Sequence, residues 1–146
     1  MLPKNMSGLA FLKAISNGEI PHPSIAETMN MQFSEIEAGR VMFLAQADER
    51  HINPAGGVHG GFAATILDSV TGCAVHSMLE AGIPYGTIDL TVKMMRPIPV
   101  GVPLFAEGKV INISRSLGVS DGSIRDEQGK IYAHATCTCM IIRDKK

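Results

Sequence analysis

The spacing of apolar residues predicts one short helix and one long helix. In the short one, leucine and isoleucine recur on one face after Ser7, a residue type that caps helix starts, and Asn17-Gly18 ends the pattern. Two prolines, at positions 21 and 23, then favour an extended link. A second apolar stretch, residues 59–80, predicts the long helix of the chain.

Alternation of apolar and polar residues predicts six strands. Residues 31–47 alternate on both sides of Ala38-Gly39 and predict a hairpin. Four more alternating runs follow the long helix, and a turn at residues 126–129 joins the last two: TIDLTVKMM, LFAEGKVINIS, LGVSDGSI and KIYAHATCTCMII. In the first run, alternation predicts that four apolar side chains share one face: Ile88, Leu90, Val92 and Met94. The order predicts an α+β fold with an antiparallel sheet covered by one helix.

Composition narrows the class of protein. A chain of 146 residues fits a single domain, and 45% apolar with 18% charged residues is typical of a soluble globular protein. The net charge of -1 offers no positive field for phosphate backbones, so we expect no nucleic-acid partner. No apolar run approaches the ~20 residues that span a bilayer, and residues 1–16 lack the apolar core of a secretory signal. We therefore expect no membrane insertion and no secretion.

Three cysteines bear on the cellular compartment. Cys73, Cys137 and Cys139 are an odd number, and the last two, spaced i and i+2, face the same side of a strand. Strand packing explains that pair more simply than a disulfide framework does. A reducing cytoplasm is therefore the expected location.

One acidic residue, Asp68, interrupts the long helix. At 100° per residue, the helix face around Asp68 carries only small residues: Gly61, Ala64, Thr65, Thr71 and Gly72. The bulkier residues lie roughly opposite: Phe62, Ile66, Val70 and Cys73. Bulk thus faces the sheet and the acid faces away from it. Either Asp68 is a hydrogen-bonded group at a close packing interface, or it has a chemical task, because burying an unpartnered carboxylate costs several kcal/mol.

Glycines at the start of this helix favour a chemical task. Gly60 and Gly61 leave the unsatisfied N–H groups of a helix N-terminus without side-chain obstruction. The phosphate-binding loop patterns are absent, because no Lys-Ser or Lys-Thr follows and the GxGxxG spacing is not met. Donors aimed at a carbonyl oxygen, as in acyl transfer, are the better interpretation.

A larger motif surrounds these residues. Asn53 is followed six residues later by His59-Gly60-Gly61, and the acid Asp68 follows nine residues after the histidine. The motif also includes Pro54, Gly56, Thr87-Ile88-Asp89 and Arg96-Pro97. Across residues 36–142, this arrangement resembles the hotdog-fold acyl-CoA thioesterases of the PaaI-like type. The resemblance implies one domain over residues 1–146, with an N-terminal helix and linker (1–30) before a hotdog core (31–142), an antiparallel sheet wrapped around one long central helix.

The resemblance implies roles at the matching positions. Asp68 corresponds to the helix carboxylate that acts as general base on water, or as nucleophile, against the thioester carbon. Gly60 corresponds to the residue whose backbone N–H polarises the thioester carbonyl, and His59 supports that turn by hydrogen bonding. Asn53 matches a side chain that helps to hold thioester or water. Thr87 stands where the family often has a serine that positions the water.

Substrate contacts and assembly are implied in the same way. Arg115, Ser116 and Gly118 lie where the family commonly contacts coenzyme A, and Arg115 can meet a phosphate. Gly61 adds a donor at the helix N-terminus. The resemblance implies a homodimer with shared active sites, paired again into a homotetramer, and it implies no metal or redox cofactor, since coenzyme A is part of the substrate.

Other functions fit parts of the pattern. His59 as a general base would match the hotdog dehydratases, but these pair the histidine with an acid at a different separation. A non-catalytic acyl-CoA sensor could share the fold, but such modules lack the helix acid. His76 and His134 have no second ligand at metal spacing, so we interpret both as surface or core histidines.

Helix geometry separates the two halves of the predicted site. Nine residues, from His59 to Asp68, span about 13–14 Å and turn through roughly 180°. The glycine donors and the carboxylate of one chain therefore cannot both touch one thioester. If two copies pack their central helices antiparallel about a two-fold axis, two identical composite sites form.

Overall fold

The computed structural model describes residues 2–144, and the predicted order of elements is confirmed. The elements are α1 (Gly8–Ser16), α2 (Ser24–Thr28), β1 (Met31–Glu37), β2 (Arg40–Ala45), a 3-10 turn (Glu49–His51), α3 (Gly60–His76), β3 (Tyr85–Met94), β4 (Leu104–Ile113), β5 (Leu117–Arg125) and β6 (Ile131–Ile141). The sequence did not predict α2 or the 3-10 turn. The extended link predicted from the prolines is limited to the residues just before α2, where Pro23 occupies the N-cap position.

The six strands form one antiparallel sheet, and α3 packs against five of them. The strand order is β1-β2-β4-β5-β6-β3, which leaves β1 and β3 at the edges of the sheet that residues 2–144 form. Ile66, Leu67 and Val70 of α3 are fully buried between helix and sheet. Burial of this apolar helix face stabilises the fold by roughly 1.5–3 kcal/mol for each large side chain. The α+β hotdog architecture predicted from the sequence is confirmed.

The sheet approaches α3 so closely that glycines are required at the contact. A Cβ atom at Gly108 of β4 would lie 2.3 Å from the Val70 carbonyl oxygen. One prediction fails here, because Thr71 is fully buried instead of sharing the open face of Asp68. Its hydroxyl donates to the Leu67 carbonyl at 2.6 Å, and Ser120 of β5 donates to the Thr71 carbonyl at 3.1 Å. The sheet thus buries a wider arc of α3 than the sequence predicted.

The long helix is also shorter than predicted, since α3 ends at His76 and not at Glu80. Ser77 follows as the C-cap residue, and its hydroxyl oxygen accepts a hydrogen bond from the Gly39 N–H at 2.9 Å. The Leu79 carbonyl accepts a hydrogen bond from the Gly8 N–H at 3.0 Å. These contacts with distant segments end the helix, although the apolar pattern continues past it.

Strand β3 carries an irregularity that changes which side chains face the helix. Its register with β6 shifts between Thr87 and Asp89, which is a β-bulge. The predicted shared face holds for Leu90, Val92 and Met94, which pair in regular alternation with β6, but it fails for Ile88, because Ile88 is the extra residue of the bulge. Leu90 and Val92 pack against the core, whereas Ile88 is 55% exposed. Thr87 is thereby turned towards α3.

Candidate active site

Asp68 and Thr87 form a hydrogen-bonded pair on the side of α3 that faces away from the centre of the sheet. The Thr87 hydroxyl donates to Asp68 Oδ1 at 2.8 Å. This contact depends on the β3 bulge, because regular alternation would direct Thr87 to the opposite face. With one oxygen held by Thr87, the second carboxylate oxygen of Asp68 can accept a proton from another group.

The pair lines an apolar cavity of about 250 Å³. Asp68 is the one carboxylate among the described residues of the lining, and Ser69, Gly72 and Tyr85 lie beside it. We call this space the Asp68 cavity. A carboxylate at the edge of an apolar space can activate a water molecule against a group bound there.

Cys73 packs against the core, as predicted from its position roughly opposite Asp68 on the helix, and it also lines the Asp68 cavity. The cavity extends around α3 towards Tyr85, so a residue 140° from Asp68 by helix geometry still reaches it. Burial, reinforced by the nearby Asp68 carboxylate, raises the pKa of the Cys73 thiol to about 12. Cys73 therefore stays protonated at neutral pH and is a poor nucleophile. The Cys73 thiol thus does not compete with the Asp68 carboxylate as a nucleophile.

His59 caps the N-terminus of α3. Its Nδ1 accepts a hydrogen bond from the Gly61 N–H at 2.8 Å. The proton of the neutral ring is therefore on Nε2. This hydrogen bond engages one of the two glycine donors that the sequence suggested. The Gly60 N–H belongs to the first residue of the helix and has no intrahelical partner. Gly60 is therefore the donor that a ligand oxygen can use.

Asn53 organises the loop before α3. Its side-chain oxygen accepts hydrogen bonds from the N–H groups of Ala55 at 2.9 Å and Gly57 at 3.1 Å. This arrangement leaves the amide NH₂ group of Asn53 as the part that it can offer to a ligand. Asn53 and Gly60 line a second cavity of about 460 Å³, which we call the Gly60 cavity.

The two cavities lie at different points along α3. Among the described residues, none lines both of them. Gly60 and Asp68 are eight residues apart, which is about 12 Å along the helix axis. Met94, at the far end of β3 from Thr87, borders the Gly60 cavity. Each cavity thus holds one half of the predicted catalytic set: Asp68 and Thr87 in one, and Asn53 and Gly60 in the other.

The residues predicted to contact coenzyme A lie in a third place, around the turn from β4 to β5. Arg115 and Ser116 are exposed, and Arg115 Nη2 donates to the Asp144 carbonyl at 3.1 Å. Packing alone explains the glycine at position 118, because a Cβ atom there would lie 2.6 Å from Val75 Cγ1. Within one chain, the structure does not bring these residues to either cavity.

The two histidines that we interpreted as surface or core residues, His76 and His134, contact neighbouring side chains of the fold. His76 is buried, and its ring lies 4.9 Å from that of Tyr85 and 5.5 Å from that of Phe11. His134 Nε2 lies 3.2 Å from Asp121 Oδ2 on β5. Within residues 2–144, no three His, Cys, Asp or Glu side chains gather closely enough to hold a metal ion. In the same part of the chain, no helix is long and apolar enough to cross a membrane.

Sequence reasoning missed most of the lining of the Asp68 cavity. Leu12, Ile15 and Ile25 reach it from the N-terminal helices, and Tyr85 reaches it from β3. Apolar periodicity marked Leu12 and Ile15 as one helix face, but nothing in the pattern showed against what that face packs. The approach of α1 to α3 is a long-range contact, which local patterns do not encode.

Comparison with known proteins agrees with this geometry. The sequence profile of the Thioesterase superfamily matches residues 55–133. Acyl-coenzyme A thioesterase 13 of Homo sapiens is 26% identical over 101 residues, which are 68% of this chain and 71% of the human protein.

Two solved structures share the whole fold. A phenylacetic acid degradation-related protein of Ralstonia eutropha is 30% identical with a TM-score of 0.81, over 89% of this chain and 98% of its own. The PaaI protein of the phenylacetic acid degradation operon of E. coli is 19% identical with a TM-score of 0.80, over 92% of this chain and 95% of its own. At 19% sequence identity, the likeness to the E. coli protein supports the fold alone.

Proposed function

Because the chain belongs to the Thioesterase superfamily, we propose that it hydrolyses acyl-coenzyme A thioesters to a carboxylic acid and free coenzyme A. The observation that carries the proposal is the Asp68 carboxylate, held by Thr87 at 2.8 Å at the edge of an apolar cavity. The apolar space takes an acyl group, and the carboxylate stands where water can meet the thioester carbon. The name of the human relative agrees with this substrate.

In the proposed reaction, Asp68 acts as general base. Its free oxygen takes a proton from water while the water oxygen bonds to the thioester carbon, and the C–S bond then breaks. The proton passes to the departing thiolate of coenzyme A, which leaves as a thiol. Direct attack by the Asp68 carboxylate, through an anhydride that water then opens, uses the same position. In both routes the Thr87 hydroxyl orients the carboxylate.

Negative charge that develops on the thioester oxygen needs a donor. The Gly60 N–H lies at the positive end of the α3 dipole, and the Asn53 amide borders the same cavity. His59 contributes by fixing the first turn of α3 through the Gly61 N–H, and this use of its Nδ1 favours a supporting role over that of a base. Such donors typically contribute roughly 10²–10³ in rate.

We propose that these donors and the carboxylate come from different chains of a homodimer. The two cavities lie about 12 Å apart along α3, beyond the reach of one thioester. Strand β3 supports the proposal, since it is an edge strand with Thr87 near one end and Met94 near the other. Antiparallel pairing of two β3 edges about a two-fold axis would bring each Thr87 end to the Met94 end of the second copy. Each Asp68 cavity would then meet a Gly60 cavity.

Further assembly and location follow as weaker extensions of the same proposal. Family resemblance favours a dimer of dimers, with Arg115 and Ser116 near the coenzyme A portion of the substrate. Three free thiols favour a reducing compartment, which we take to be the cytoplasm. Sedimentation and subcellular fractionation test these two points separately.

Replacing the carboxylate by an amide tests the proposed function. Asp68→Asn keeps the size and the hydrogen bond from Thr87 but removes the base, so kcat should fall by roughly 10²–10⁴. The assay follows thiol release from short, medium, long and aromatic acyl-CoAs. Glu127→Gln is the matched control, because Glu127 is exposed in the turn between β5 and β6, away from the β3 edge, and lines neither cavity. An Asp68→Asn enzyme with the kcat of the wild type contradicts the mechanism, and a wild type inactive on every substrate contradicts the function.

A further inference from the structure

The N-terminal segment, residues 8–28, lies across the outer side of the domain and is fixed at both ends. At its start, Gly8 packs so tightly that a Cβ atom would lie 1.7 Å from the His76 carbonyl oxygen. At its end, Arg50 Nη1 donates to the Glu27 carbonyl at 2.9 Å, and His51 Nε2 lies 2.7 Å from the Thr28 carbonyl. The segment is therefore held over the domain like a strap, and its middle part is exposed.

The strap covers the Asp68 cavity. Leu12 and Ile15 of α1 and Ile25 of α2 contribute apolar side chains to its lining. Phe33 of β1 adds an aromatic ring, packed edge-on against Phe43 with 4.8 Å between the ring centroids. An apolar lining next to one carboxylate is suited to an apolar group joined to a reactive carbon.

Gly72 shows that this space is not merely a packing defect. Glycine inside a helix is less favourable than alanine, so its presence in the middle of α3 needs a reason. A Cβ atom there would meet only the Tyr85 ring, at 3.5 and 3.7 Å, which are ordinary contact distances. Packing thus permits alanine at position 72, in contrast to Gly108, where the helix backbone excludes it. Because Gly72 has no methyl group, the Asp68 cavity has more room at this position.

We infer that the strap is the size-determining wall of the acyl pocket, with Ile25 and Gly72 as specificity-determining residues, and that the enzyme prefers acyl groups of medium size. This inference rests on the proposed thioesterase function. The Asp68 cavity, at about 250 Å³, lies at the small end of ligand pockets, which hold roughly 300–1,000 Å³. Its size favours a linear acyl group of medium length or a short aryl-acyl group, whereas longer chains would press against the strap.

Enlarging Ile25 tests the inference on the intact protein. Ile25 is 42% exposed, so Ile25→Trp should fold while it narrows the cavity. We measure kcat/KM for linear acyl-CoAs of two to sixteen carbons and for phenylacetyl-CoA. The expected result is a maximum at medium length in the wild type, and in Ile25→Trp a loss of roughly tenfold or more for medium chains, with acetyl-CoA within about twofold. Ile111→Trp, on an exposed β4 position outside the cavity, should leave the profile unchanged.

Gly72→Ala provides an independent readout. The alanine should preserve or raise the melting temperature and still lower kcat/KM for medium acyl groups relative to acetyl-CoA, which a purely structural role would not do. If Ile25→Trp and Gly72→Ala both fold and both retain the wild-type chain-length profile, the strap does not set acyl size and the inference is overturned. Hydrolysis that still depends on Asp68 in that case leaves the proposed function intact. Absence of hydrolysis in the wild type, by contrast, overturns both.

Discussion

The Asp68 cavity and the Gly60 cavity differ in almost every property that matters for catalysis. The first is apolar, holds about 250 Å³ and contains a carboxylate oriented by a threonine hydroxyl. The second is larger, at about 460 Å³, and contains backbone and amide donors at the start of a helix. The described lining of the first contains no residue from the N-terminus of α3, and the described lining of the second contains no carboxylate. The difference indicates that neither is a complete thioesterase site.

Helix α3 explains why one element supplies both halves and yet separates them. Donor groups of a helix are confined to its N-terminus, because later N–H groups are used within the helix. A carboxylate that faces an apolar cavity must instead lie where the helix borders that cavity, and here this is the middle of α3. In the proposed dimer, a two-fold axis would bring the end of one such helix to the middle of the other.

After Asp68→Asn, blocking the donor half should have the largest effect. In Gly60→Val, branched methyl groups enter the Gly60 cavity next to the N–H, and the first atom already lies 2.8 Å from Met94 Sδ. Because the flexible end of a methionine side chain can move, the fold should persist while kcat falls by roughly 10²-fold. Steady-state kinetics with a melting curve checks this. A folded Gly60→Val enzyme with wild-type kcat shows that the donor half is not used.

Removing the hydroxyl next to the carboxylate should have a smaller effect. Thr87→Val keeps the shape of the side chain but loses the hydrogen bond to Asp68, and a bond to a charged group is worth about 1.5–3 kcal/mol. We expect kcat to fall by roughly 10- to 100-fold without a change in KM. Thr87→Ser keeps the hydroxyl and is the matched control, which should stay within a few fold of the wild type. Equal losses in both variants would mean that the methyl group matters and the hydroxyl does not.

The smallest expected effect concerns the cap of α3. His59→Ala removes the acceptor of the Gly61 N–H, and loss of an N-cap costs about 1 kcal/mol. For a chain of this length, that lowers the melting temperature by roughly 3 °C. His59→Asn restores a capping oxygen and should recover most of the loss in a thermal melt. If the two variants melt alike, the ring contributes through packing and not through its hydrogen bond.

The sequence predicted the parts of this site that depend on local geometry. Asp68 and Gly60 were found because helix periodicity and the unsatisfied donors of a helix N-terminus are properties of neighbouring residues. Their separation along α3 was predicted for the same reason.

The parts that depend on distant contacts escaped prediction. Thr87 was proposed from family resemblance, but its orientation comes from a one-residue bulge in the pairing with β6, which alternation alone places on the wrong face. The N-terminal wall of the Asp68 cavity depends on how α1 and α2 lie over α3 and β1, and no local pattern indicates that. Thr71 was misplaced because β5 covers its side of α3, and helix periodicity does not show how far a sheet reaches around a helix.

Mixed oligomers test the central claim, that each active site combines two chains. Asp68→Asn and Gly60→Val chains, each inactive alone, are co-expressed with different tags, and the mixed species is purified through both tags in turn. If sites are shared, every mixed dimer holds one site with both lesions and one with neither, so the rate per dimer should recover to about half that of the wild type. A species in which cross-linking across β3 shows both tagged chains in the same dimer, and which remains inactive, contradicts the account, because it means that Asp68 and Gly60 of the same chain serve the same thioester.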